Sequence, residues 1–195
     1  MRCRLAILTL IAALPGINVL AAPAPDPWAI LDIGPPEKGE TVEEHRNREI
    51  EVFTCHGVIV REVWQDPELR KLPSAAALKD PISWLEKNLR VTPEGKGNRL
   101  RLKFRAGNCI EQVAILNSIL RIYIHHQAER IKFREGELRI MAEGEPRLAK
   151  SIKETQNPDS LQRYLQQWEN GKIAEVDARA EIARLKQVAV IKWAK

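Results

Sequence analysis

Apolar and basic side chains alternate over residues 99–105. Leu100, Leu102 and Phe104 therefore fall on one side of an extended chain, and three arginines and a lysine fall on the other. This period of two predicts a strand with one buried and one solvated face. The basic face either contacts phosphate headgroups near a membrane or serves only to limit aggregation.

Two more segments are predicted to join this strand in a sheet. Residues 28–33 favour a strand that ends at Gly34-Pro35-Pro36, a sequence that interrupts regular structure. Residues 188–193 are short and rich in β-branched side chains, which favours a strand over the end of a helix. We expect this final strand, at about 187–193, to return to the sheet beside the 100–104 strand.

Helical signals lie between these strands. Thr41 and Glu44 match a capping box, which predicts a helix over residues 42–64 that a glycine weakens in the middle. Asp80 followed by proline predicts the start of a short helix, in which Leu89 is the last residue of an apolar stripe.

Apolar residues recur at three- and four-residue spacing over 110–124 and predict a helix with a broad buried face. Beyond it polarity rises, and Gly144-Glu145-Pro146 predicts an interruption. A last helix is predicted to begin at Asp159. An antiparallel helical hairpin over about 127–185 follows from these two segments. The narrow apolar seam of the last helix includes Leu161, Leu165, Trp168 and Val176.

Together these elements predict an α+β fold, with helices packed on a small sheet of about three strands and a long helical hairpin projecting from it. The 195 residues suit one domain. We assign that domain to residues 22–195. It begins with an alternating Ala-Pro spacer at 22–27, which should be extended.

The amino terminus has the composition of an export segment. Two arginines precede an apolar run from Leu5 to Leu20, and alanines follow it. Residues 1–21 are therefore either a signal peptide cleaved after Ala21 or part of a membrane anchor over residues 5–22. Both alternatives place the domain outside the cytoplasm, in the periplasm or the cell envelope.

The charge pattern argues against a nucleic-acid-binding protein. Removal of Arg2 and Arg4 with a signal peptide lowers the net charge from +5 to +3. The remaining cations are interspersed with glutamates, as in Lys132-Phe133-Arg134-Glu135, so no stripe of one sign appears.

No residue pattern points to a catalytic, cofactor or metal site. Cys55 and His56 are neighbours in a predicted helix, so their side chains point about 100° apart. His125 and His126 are also adjacent, whereas metal ligands on one helical face come three or four residues apart. We therefore expect a protein that is not an enzyme and needs no cofactor.

Cys55 and Cys109 meet an oxidising compartment if the chain is exported. They either form a disulfide or remain two thiols near the core, because sequence spacing does not fix their separation. The five tryptophans raise the alternative of glycan stacking. Trp64 and Trp84 are expected in the core, and Trp168 between helices or subunits.

Three motifs follow one another in a specific order: PEL at 67–69, DPISWL at 80–85 and EQVAILN at 111–117, which continues to a tyrosine. In this order, the chain resembles the extracytoplasmic domain of Wzz-like polysaccharide co-polymerases, the chain-length determinants. The likeness covers nearly the whole mature chain. It departs from the family in lacking a carboxyl-terminal membrane helix and a Walker-type phosphate loop, and in placing Cys109 where proline is common.

The resemblance implies a membrane-proximal base, a helical projection and a ring of several copies that influences how long a glycan polymer grows, without a catalytic group. It implies that Asn117 and Tyr123 contact the base or a neighbouring subunit, and that the 161–176 seam serves oligomerisation. The expected partners are further copies of this chain or a membrane-bound polysaccharide-assembly protein, and a glycan. The alternative is a secreted, coiled-coil-like adaptor with no glycan role.

Overall fold

A computed structural model describes residues 26–54, 58–76 and 78–195 of this chain. Four of the described segments form one antiparallel sheet with the strand order β2-β3-β1-β4. These strands are β1 (Trp28–Asp32), β2 (Leu89–Pro93), β3 (Arg99–Phe104) and β4 (Ala189–Lys192).

The helices of the described residues are α1 (Val42–Thr54), α2 (Val58–Val63), α3 (Pro67–Arg70), α4 (Pro81–Asn88), α5 (Cys109–Glu154) and α6 (Pro158–Leu185). The helix predicted over 42–64 corresponds to α1 and α2, and residues 55–57 between them lie outside the described residues. Helices α5 and α6 pack against each other, and of the shorter helices α2 packs against α5, while α1 and α4 contact α2.

The α+β fold is confirmed, but the sheet has four strands instead of three. The missed strand is β2, because α4 ends at Asn88 and Leu89 already has extended φ and ψ angles of −75° and 132°. The predicted neighbour of the final strand is also wrong, since β4 pairs with β1 and not with β3. Strand β3 already has β1 and β2 on its two sides, so β4 joins the remaining edge of β1.

The predicted interruption at Gly144-Glu145-Pro146 is wrong, because α5 runs unbroken from Cys109 to Glu154. Proline in a helix interior costs about 3 kcal/mol, since it removes one hydrogen bond and crowds the preceding turn. Helix α6 packs alongside this stretch, and Lys172 Nζ lies 2.8 Å from Glu145 Oε1, next to the proline. Tertiary packing thus supports a helix that the local sequence disfavours.

Local caps begin α1 and α4 where the sequence predicts them, whereas α6 begins at Pro158 with Asn157 as its cap instead of at Asp159. The amide of Glu44 donates to Thr41 Oγ1 at 3.2 Å, and the amide of Thr41 donates to Glu44 Oε2 at 2.8 Å, which confirms the capping box. Asp80 Oδ1 accepts from the amide of Ser83 at 3.1 Å at the start of α4. The bonds from Thr41 and Ser83 lower the pKa values of the Glu44 and Asp80 carboxyls.

The core lies between one face of the sheet and the first four turns of α5. The sheet contributes Ala29, Leu31, Leu100, Leu102 and Phe104, and α5 contributes Ile115, Leu116, Ile119, Leu120 and Tyr123. Phe53, Ile59 and Val63 of α1 and α2 complete the same cluster. Burial of these side chains fixes the direction in which α5 leaves the sheet. We call the sheet, α1–α4 and α5 up to Gln127 the base, and the rest of α5 with α6 the hairpin.

Glu111 joins the start of α5 to the loop before α4. Its side chain is buried and accepts from the amides of Ser74 at 2.9 Å and Asn108 at 2.7 Å. These backbone bonds hold the pKa of Glu111 below its ordinary value. Gly107 has a φ of +78°, and a Cβ there would lie 2.6 Å from Glu111 Oε2, so the turn before α5 requires glycine.

Replacing Glu111 by glutamine is expected to lower the free energy of unfolding by about 1–3 kcal/mol at neutral pH, because charge-assisted bonds to two backbone amides are lost. The folded pKa of Glu111 is lowered, so its stabilisation is present above the unfolded pKa and disappears as the pH falls through the folded pKa. The difference between wild type and variant should therefore shrink with acidification, measured by urea unfolding at a series of pH values.

The control for this experiment is Glu51→Gln, which removes a carboxylate from an exposed position on α1. This variant should unfold like wild type at each pH. A loss of stability in Glu111→Gln that stayed constant from neutral to acid pH would contradict the assignment of the carboxylate charge to this turn.

Candidate functional site

Charged pairs join the two helices of the hairpin along their contact. The fully buried apolar side chains of α6 lie in its last turns: Ala178, Ile182 and Leu185. Three salt bridges join α5 to α6 beside these turns: Glu135–Lys186 at 3.3 Å, Arg134–Glu181 at 2.6 Å and Arg130–Glu181 at 2.8 Å. A fourth lies further along, Glu145–Lys172 at 2.8 Å, where the later residue of α5 meets the earlier residue of α6, as antiparallel helices require.

Glu181 is the centre of these pairs. Burial raises the pKa of its carboxyl, but hydrogen bonds from Arg130 and Arg134 outweigh this and hold the pKa below its ordinary value. Hydrogen bonds to Glu137 and Glu181 raise the pKa of Arg134. The pairs therefore stay charged over the whole physiological pH range, and they fix the register of one helix against the other.

None of the four predicted seam residues of α6 is fully buried between α5 and α6. Leu165, Trp168 and Val176 are exposed to 42%, 39% and 65%, and Leu161 is half-buried. Within the described residues, Val176 therefore has most of its surface available to a partner, and Leu165 and Trp168 have about two fifths of theirs. The oligomer contact itself stays a prediction.

Sequence reasoning missed other apolar side chains that the hairpin exposes. Phe133 and Ile140 of α5 are 65% and 69% exposed, and Ile173 of α6 is 62% exposed. Phe133 and Ile140 are seven residues apart, so they lie on the same side of α5. The spacing could have revealed this pair, but the charged residues around it masked the pattern.

A groove of about 460 Å³ runs between α5 and α6 near the middle of the hairpin. Leu138, Met141 and Trp168 line it, and Gly144 and Gly171 open its walls, since a Cβ on either glycine would meet no atom within 4 Å among the described residues. Trp168 forms one border, with Lys172 Nζ at 5.9 Å from its ring centroid.

Tyr123 contacts the base of its own chain. Its ring is buried and stacks on Phe53 with centroids 4.8 Å apart, and its hydroxyl donates to Glu49 Oε2 at 2.7 Å. Burial, followed by the nearby Glu49 carboxylate, raises the pKa of Tyr123 well above its ordinary value. The hydroxyl therefore stays protonated and acts as a donor to a buried carboxylate.

A polar cluster extends from Glu49 to the last turn of α6. Arg48 of α1 faces the loop after β1. Its guanidinium nitrogens lie 3.0 Å from Glu37, 3.2 Å from Glu40 and 3.8 Å from Glu49. Arg184 of α6 is buried and reaches Glu37 Oε1 at 3.1 Å. The last turn of α6 is thereby tied to the base. No local sequence signal links residues 147 positions apart, so this junction was not predicted.

Asn117 holds the carboxyl-terminal segment. Its Oδ1 accepts from the amide of Ala194 at 3.0 Å, and its Nδ2 donates to the carbonyl of Ala194 at 3.4 Å. Ala194 is buried in the core cluster immediately after β4. The side chain of Asn117 therefore contacts the base within one subunit and anchors β4 against α5.

The predicted disulfide stays a prediction. Cys55 lies outside the described residues, and Cys109 is the exposed first residue of α5. His125 is exposed, and His126 Nε2 lies 2.9 Å from Glu62 Oε2. In the ranges 26–54, 58–76 and 78–195, no three His, Cys, Asp or Glu residues come together as a potential metal site.

Comparisons with models of known protein families and with curated proteins find no match for this chain. Among the helices that the structure describes, none has both the length and the apolar composition needed to cross a membrane. The predicted signal peptide or anchor falls in residues 1–25, outside the described part of the chain.

Replacing Asn117 by alanine is expected to release the end of β4, because the backbone groups of Ala194 lose both partners. Hydrogen exchange should accelerate at Ala194 and along β4, and the free energy of unfolding should fall by about 1–3 kcal/mol. Gln112→Ala is the control, since that amide lies on the same helix but donates to the carbonyl of Gly107. Unchanged exchange at β4 in Asn117→Ala would show that the asparagine does not hold the strand.

Proposed function

We propose that this protein is a non-catalytic assembly protein of polysaccharide biosynthesis, of the chain-length determinant type. In this proposal, exported or membrane-anchored copies associate through their hairpins, and the assembly influences the length of an extracellular glycan. The glycan role comes from the order of the PEL, DPISWL and EQVAILN motifs. The mode of action comes from the shape and surface of the hairpin.

The observation that carries the proposal is the length of α5 beyond the base. Gln127 is the last buried residue of α5, yet the helix continues to Glu154, about 40 Å further at 1.5 Å per residue. A helix pair with so little buried apolar surface gains little stability by itself. A second copy packed against it would cover exposed side chains such as Phe133, Ile140 and Val176.

The seam on α6 gives this association a specific contact. Leu165 and Trp168 are one helical turn apart, and Trp168 borders the groove between the two helices. A large aromatic side chain beside an apolar groove is typical of the residues that contribute most to protein association. The charged pairs between α5 and α6 keep the two helices in one arrangement, so the seam is preorganised for binding.

The test replaces Leu165 and Trp168 together by aspartate. Two charges placed in an apolar contact should prevent association. The mass of the particles that the full-length protein forms, measured by light scattering after purification in detergent, should therefore fall to that of a monomer. The base should remain folded, with an unchanged near-ultraviolet spectrum apart from the loss of one tryptophan. The control is Gln162→Asp with Gln166→Asp, which adds the same charge at two exposed polar positions of the same helix and should not change the mass.

A second measurement addresses the glycan. Cells that lack the wild-type gene and carry the Leu165/Trp168 variant should make polysaccharide with a shifted or broadened length distribution on a gel. Cells that carry the Gln162→Asp, Gln166→Asp control instead should show the wild-type distribution. An oligomeric mass that the aspartates leave unchanged would reject assembly through the hairpin. A monomeric variant with a normal glycan distribution would instead favour the secreted adaptor.

A further inference from the structure

The sheet has a second face, opposite the core. Antiparallel pairing sets Trp28 beside Lys103, Ile30 beside Arg101 and Lys192, and Arg90 beside Lys103. We call the following set the outer face: Trp28, Ile30, Asp32, Arg90, Thr92, Arg99, Arg101, Lys103 and Lys192. All of these residues are exposed or half-buried, so the face is open to solvent among the described residues.

The outer face carries an excess of positive charge. Asp32 lies 3.9 Å from Arg99, and Glu94 next to the face lies 2.6 Å from Arg101. No carboxylate of the described residues lies within 4.0 Å of the charged atoms of Arg90, Lys103 or Lys192, which are the other cations of the face. The hairpin differs, because its cations at the α5–α6 contact are paired with glutamates.

Trp28 lies among these cations. Lys192 Nζ is 3.1 Å from its ring centroid, and the guanidinium carbon of Arg101 is 4.9 Å away. Its indole is half-buried, so part of the ring remains accessible. Tryptophan beside lysine and arginine is the combination that favours the headgroup region of a bilayer, where an amphipathic ring and positive charge are both stabilised.

The position of Trp28 in the chain brings this face close to a membrane. Seven residues separate it from Leu20, the end of the apolar run, and an extended chain of this length reaches less than about 30 Å. Asp26 is the one charged residue of this spacer, against five cations on the outer face. The face is therefore within reach of the bilayer whenever the apolar run is inserted in it.

We propose that the outer face of the sheet is a docking surface for a bilayer that contains anionic phospholipids. Each lysine or arginine near such a surface contributes about a fivefold gain in binding, which salt reduces by screening. The cations come from three strands, β2, β3 and β4, so only the folded sheet forms the surface. The proposal goes beyond glycan assembly and stands whether or not the hairpin oligomerises.

Lysine acetylation of the full chain tests the docking. The protein is reconstituted into vesicles of phosphatidylcholine alone and of phosphatidylcholine with about 30% phosphatidylglycerol, and acetylation is followed by mass spectrometry. Both vesicles accept the apolar run, so the comparison isolates the effect of lipid charge. Lys103 and Lys192 should be acetylated several-fold more slowly on the anionic vesicles at low salt, and high salt should abolish the difference. Lys150 and Lys153 of the hairpin are internal controls that should react equally on both.

The arginines of the face provide matched variants. Arg90→Gln with Arg99→Gln removes two exposed cations and leaves both reporter lysines, so the protection of Lys103 and Lys192 should weaken several-fold. Arg139→Gln with Arg163→Gln removes the same charge from exposed hairpin positions and should leave the protection unchanged. Thermal unfolding of both variants checks that the sheet remains intact.

Equal acetylation of Lys103 and Lys192 on neutral and anionic vesicles would overturn the proposal. Equal protection of the hairpin lysines would also overturn it, because lipid charge would then act on the whole chain. Protection by inorganic phosphate without vesicles, to the same extent, would indicate a site for free anions instead of a bilayer surface. None of these outcomes depends on the mass of the protein or on glycan length, so this proposal and the assembly role can fail separately.

Discussion

The rest of the structure depends on the contact between the apolar face of α5 and the inner face of the sheet. Leu116, Leu120 and Tyr123 are buried there together with Leu31 and Leu102. Because α5 is one continuous helix, the direction set by these side chains extends to its far end at residue 154. A projection with little core of its own is thus oriented by the core of the base.

Three long-range contacts secure this arrangement at the junction. Tyr123 donates to Glu49, Arg184 reaches Glu37, and Asn117 binds both backbone groups of Ala194. Each joins α5 or α6 to a different part of the base, so the hairpin is fixed at both of its helices. Glycine is required where the loop after β1 approaches α6, because Gly34 has a φ of +72° and a Cβ there would lie 2.9 Å from the carbonyl oxygen of Arg184.

The net charge of the chain is only mildly positive, but charge is distributed differently on two of its surfaces. On the hairpin, cations and carboxylates pair across the α5–α6 contact, which leaves exposed apolar side chains as its distinguishing feature. On the outer face of the sheet, cations exceed carboxylates and surround a tryptophan. Protein association suits the first surface and an anionic layer suits the second. The two surfaces share no residue.

Local sequence determined the caps at Thr41 and Asp80, the period-two strand β3 and the helical face that starts α5, because each depends on hydrogen bonds or periodicity within a few residues. It also placed Leu165 and Trp168 on one apolar stripe of α6, although not that both would be partly exposed. Only the tertiary structure decided that β4 joins β1 and that α5 continues through Pro146. Both outcomes, like the contact of Asn117 with Ala194, depend on partners far away in the chain, whose packing outweighs local preference.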